Sequence, residues 1–75
     1  MKDTTARKRI INAINREPLI KSEADKKHFF NLIYDDFLFF EAEESEEYTS
    51  TQNLNFAIAI WLYDGEAVIK NQLSD

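Results

Sequence analysis

The apolar positions of this chain recur with different periods along its length, and each period predicts an element. Ala6, Ile10, Ala13 and Ile14 fall on one stripe at helical spacing, with Thr4 or Thr5 placed to cap the helix that carries them. Pro18 should stop that helix at or before Glu17, because a proline pushes the residue before it out of the helical region. Ser22 followed by Asp25 reads as a variant capping box, and Glu23 and Asp25 suit the positive end of a helix dipole. A second helix therefore starts there, with Phe30, Ile33, Phe37 and Phe40 recurring every three or four residues and Phe29 and Leu32 widening the stripe. From Glu41 to Ser50 the sequence turns polar, and the helix is expected to fray into a connection.

The last third supports two readings. Leu54, Phe56, Ile58, Ile60 and Leu62 alternate with Asn55, Ala57, Ala59, Trp61 and Tyr63, which is the period of a strand. Asp64-Gly65 would then be a hairpin turn pairing Leu62 with Ala67 and Ile60 with Ile69. Against this, alanine is a poor strand residue, Leu54, Ile58 and Trp61 also fit a helical stripe, and Asp64 could cap a short final helix through Leu73. A single glycine and a single proline in 75 residues leave few turn formers for a sheet, which favours helices. The expected fold is mostly α, one small domain over residues 1–75 with three or four helices. The alternative is α+β, two helices packed on a C-terminal hairpin formed by residues 54–70.

Size makes such a domain marginal, since a lone core below about 70 to 80 residues supplies only a few kcal/mol. Self-association into a homo-oligomer is one way to bury more surface. With no cysteine there is neither a disulfide nor a thiolate metal site, which fits a reducing, cytoplasmic setting. The N-terminal stretch lacks the uninterrupted apolar region of a secretory signal, and the run Leu54 to Tyr63 is too short for a membrane span, so no membrane association is expected.

Charge is divided unequally. Residues 1–27 carry eight basic side chains against four acids, net +4, whereas residues 28–75 carry Lys70 against ten acids, net −9. The plain reading of the acidic half is a solvated face. The sharper one is a surface that competes for a partner's basic groove as phosphates would, carried by Asp35, Asp36, Glu43, Glu44, Glu46 and Glu47. Arg7, Lys8, Arg9 and Arg16 on the first helix offer the opposite possibility, contact with phosphates or with an acidic partner. A net charge of −5 argues against direct nucleic-acid binding, because the domain-wide basic footprint is missing.

The chemistry of a reactive site is sparse. His28 is the only histidine, too few for a zinc site, and Gly65 alone cannot form a phosphate-cradling loop. No serine sits in a nucleophile elbow, and a chain this short has little from which to enclose a pocket of about 300 Å³ or more. No catalytic residue, metal or cofactor is therefore expected. Ten aromatic residues remain, more than a small core can cover, and Tyr34, Phe39, Tyr48, Trp61 and Tyr63 are the candidates for an interface. Together these features predict a non-enzymatic protein-binding module, in its sharpest form a small acidic inhibitor or regulator that mimics DNA. The alternatives are a homo-oligomeric subunit and a weak nucleic-acid binder working through the first helix.

Overall fold

The computed structural model describes residues 1–43 and 47–74, and these form an all-helical domain with four α-helices and no strand. The helices are α1 (Asp3–Asn15), α2 (Glu23–Ala42), α3 (Ser50–Ile58) and α4 (Glu66–Lys70), with a π-helical turn over Ala59–Tyr63 joined directly to α3. The hairpin alternative for residues 54–70 is thereby overturned. Leu54 and Ile58 are buried at helical spacing with Leu62 one turn further on, whereas the alternating partners Phe56 and Ile60 are exposed. Helical burial won because the polar and small residues between them, Asn55, Ala57 and Ala59, cost a helix little.

The stripe on α1 packs as its spacing implies, with Ala6, Ile10, Ala13 and Ile14 all buried. Its start differs from the expectation. Thr4 and Thr5 lie inside the helix, Lys2 occupies the N-cap without a side-chain bond, and Asp3 supplies the negative charge of the first turn. The helix ends at Asn15, before Pro18. On α2, Ser22 caps the backbone N–H of Asp25 at 3.1 Å, and Phe29, Ile33 and Phe37 enter the core. Phe30 and Phe40 are only half-buried at its flank.

Two further boundaries depart from the sequence reading. The polar connection after α2 ends in a complete capping box: Thr49 Oγ1 accepts from the Gln52 N–H at 3.2 Å, and Gln52 Oε1 accepts from the Thr49 N–H at 2.8 Å. Asp64 does not cap the last helix, which is shorter than expected. Gly65 stands at its N-cap with φ 125° and ψ 158°, and Lys70 ends it.

α2 is the spine of the domain, about 30 Å long at 1.5 Å per residue, with α1 and α3 packed against it. α4 packs on the π turn and contributes Ile69 to the core. Polar clamps fix these pieces. At one end Asp3 accepts from both Arg7 Nε, at 2.7 Å, and the Tyr34 hydroxyl. At the other, the segment after α4 returns to the start of α2, where Ser74 donates to Asp25 and His28 meets Gln72 at 2.9 Å. No helix among the described residues is long and apolar enough to cross a membrane.

Candidate interaction surface

The π turn sits where α3 would otherwise continue, and two grooves meet along it. Ala59 and Tyr63 line both. Widened π turns of this kind recur at functional sites, since they re-aim side chains relative to the helix before them.

The first groove is aromatic. Phe40, Tyr48, Phe56, Ala59, Ile60 and Tyr63 surround a shallow volume of about 540 Å³, with Asp64 at its edge. A smaller continuation of about 300 Å³ runs past Phe40, Tyr48 and Phe56 to Glu43 and Asn53. Tyr48 stands edge-on to Phe56 with ring centroids 5.1 Å apart, so the two rings form one wall. Tyr63 is 67% exposed and Tyr48 47%, while Phe56 and Ile60 are each more than 40% exposed. Phe39, 63% exposed, stands edge-on to Phe40 and so lies next to this groove.

The five aromatic residues singled out from the sequence thus divide. Phe39, Tyr48 and Tyr63 are open to a partner. Tyr34 and Trp61 are packed against the core and hold the fold: Tyr34 hydrogen-bonds Asp3 and stacks on Phe30, and the Trp61 indole N–H donates to Asp36 at 2.7 Å. Phe56 and Ile60 replace them on the surface. Their exposure follows from the helical phase of α3, a signal obscured in the sequence by the competing strand reading.

The acidic candidates divide as well. Asp35 and Glu43 are exposed on α2 and at its end, and Glu47 is exposed beyond it. Asp36 is committed to Trp61 and half-buried. Glu44 and Glu46 lie outside the described residues. Glu43 and Asp64 are the acids that border the aromatic groove.

The second groove is basic. Arg9, Asn12 and Arg16 from α1 face Asn55, Ile58 and Ala59 across a volume of about 420 Å³. Arg9 Nη2 donates to Asn55 Oδ1 at 2.8 Å, which ties α1 to α3. Arg7 is not part of it: its guanidinium pairs with Asp3 and lies 4.6 Å over the Tyr34 ring, and this carboxylate holds the Arg7 pKa above its ordinary value. The Tyr34 hydroxyl, followed by Arg7, holds the Asp3 carboxyl below its own. Lys8 is exposed on the same helix but outside the groove.

Among the described residues no group of three or more His, Asp and Glu side chains could hold a metal ion. No protein-family model, curated protein or solved structure matches this chain.

Proposed function

We propose that this protein is a non-enzymatic binding module whose aromatic groove receives an apolar side chain from a protein partner carrying basic residues around that anchor. The observation that supports it is the grouping of Tyr48, Phe56, Ile60 and Tyr63, all substantially exposed, around one groove edged by Glu43 and Asp64. Scattered exposed apolar residues need no explanation, but a contiguous set with a polar rim is the usual form of a binding site. Exposed tyrosines supply large, stiff contact area, and the acids around them steer a basic partner into register. The net charge of −9 over residues 28–75 extends this to a long-range field of the same sign. In its finest form the reading is that of an inhibitor or regulator occupying a surface that otherwise receives nucleic-acid phosphates, in the cytoplasm.

Capture experiments test it. The protein should retain a partner whose interface is basic, weakening as salt is raised, and Tyr63→Ala or Tyr48→Ala should reduce the affinity about tenfold. Glu43→Lys with Asp64→Lys should abolish capture at low salt, while Leu38→Ala, exposed outside the groove, should leave it unchanged. Capture indifferent to all of these changes overturns the proposal. So does a dimer in solution that Tyr63→Ala dissociates, because the groove would then belong to a second copy.

A further inference from the structure

The basic groove has no role in that reading, and its composition points to a ligand of its own. Arg9, Asn12 and Arg16 stand at intervals of three and four residues, so all three project from one face of α1. The two arginines are seven residues apart, about 10 Å along the helix axis, and both line the same groove. Neither arginine is ion-paired with a carboxylate among the described residues, although the chain carries fourteen acids. No carboxylate lines the groove at all, again among those residues.

The supporting groups are arranged to donate. Asn55 uses its Oδ1 to accept from Arg9, which leaves its amide Nδ2–H groups for a ligand. That bond also holds the Arg9 guanidinium at the groove wall, so less side-chain freedom is lost when a ligand binds. The carbonyls at the end of α1 would oppose a negative charge, but those of Asn12 and Ala13 receive the Arg16 N–H, and that of Ile14 receives the Glu17 N–H. The floor is apolar, formed by Ala13, Ile58 and Ala59, and reduces the screening of charges above it.

We infer that this groove binds a phosphate dianion, held between the Arg9 and Arg16 guanidiniums with the Asn12 and Asn55 amides as further donors. Two separated cations favour a doubly charged, four-oxygen anion over a carboxylate, which offers one charge and two oxygens. The inference goes beyond the protein-binding reading and stands without it, since the free protein is all it requires.

The probe is inorganic phosphate, titrated into the isotopically labelled protein at constant ionic strength, with acetate as the carboxylate control. Chemical shifts of the Arg9 and Arg16 side chains, the Asn12 and Asn55 amides and the Ala59 backbone should move along saturable curves, with acetate weaker. Arg9→Ala together with Arg16→Ala should weaken phosphate binding about tenfold or more while the rest of the spectrum keeps its dispersion. Arg16→Ala alone serves if the double variant loses its fold, because Arg16 is exposed and has no hydrogen-bonded side-chain partner among the described residues. Shifts that rise linearly without saturation, that spread over Lys2, Lys8 and Lys21, or that acetate reproduces at equal concentration overturn the assignment.

Discussion

Asp25 and Ser74 are 49 residues apart in the chain, yet one carboxylate oxygen of Asp25 accepts both the Ser74 backbone N–H, at 2.9 Å, and its hydroxyl, at 2.8 Å. Asp25 also lies in the first turn of α2, where its N–H is capped by Ser22. One buried side chain thereby fastens the C-terminal segment to the beginning of the longest helix. The residue has two roles, and only the helix-start role is visible in the local sequence.

That contact predicts how the domain responds to acid. The two bonds from Ser74, backbone first and hydroxyl second, hold the Asp25 carboxyl below its ordinary value of 3.8. A carboxyl lowered in the folded state is charged there while its unfolded counterpart has already taken up a proton. Its stabilisation is therefore complete above about pH 4 to 5 and is lost as the pH falls through and below 3.8. Asp3, lowered by the Tyr34 hydroxyl and Arg7, adds to the same acid limb. Thermal melts between pH 7 and pH 2.5 should show the midpoint falling over that window, with a shallower fall for Asp25→Asn. A melting point independent of pH down to 2.5 would contradict the role of these carboxylates.

The Trp61–Asp36 bond makes a second prediction. Both partners are half-buried, and the bond joins the π turn to α2. Asp36→Ala should remove about 1 to 2 kcal/mol of stability, the cost of a charge-assisted bond with its donor left partly desolvated. Trp61 is the only tryptophan, so its fluorescence in a urea titration reads the change directly. An unchanged midpoint would mean that the indole finds water or another acceptor without loss.

Gly65 carries the third. Its φ of 125° with ψ of 158° is a conformation that residues with a Cβ rarely adopt, although a Cβ there would meet nothing within 4 Å. Gly65→Ala should therefore cost about 1 to 3 kcal/mol through backbone strain alone, with α4 and Ile69 pulled from the core in the damaged fraction. Hydrogen exchange of residues 66–70 should speed up relative to that of α2. Equal protection in the variant would show that the junction adopts another backbone path at no cost.

The positions of α1 and α2 and most of their core stripes were legible in the sequence because both depend on spacing within one segment. The stripe of α1 and the Ile33 and Phe37 contributions of α2 follow from a period of about 3.6 residues, whereas packing centred the α2 stripe on Phe29 and left Phe30 and Phe40 at its flank. The capping box of Thr49 and Gln52 was not read from the sequence, because the acidic run before it and the strand-like alternation after it drew the residues into a polar connection. Over residues 54–63 local period could not choose, because the run is apolar at almost every position and so fits the alternation of a strand and the stripe of a helix together. Packing against α2 decided, by burying Leu54, Ala57 and Ile58 together.

What the tertiary structure alone decided is which side chains remain available. Tyr34 and Trp61 are spent on Asp3 and Asp36, residues 31 and 25 positions away, whereas Phe39, Tyr48 and Tyr63 meet too few neighbours to be covered. The four basic candidates of α1 separate in the same way: Arg7 is taken by Asp3 and two rings, Lys8 points to solvent, and Arg9 with Arg16 opens onto a groove completed by α3. Composition and period are local properties and set α1, α2 and their buried stripes, but the helical state of residues 54–63 and the exposure of every side chain depend on what the rest of the chain brings alongside.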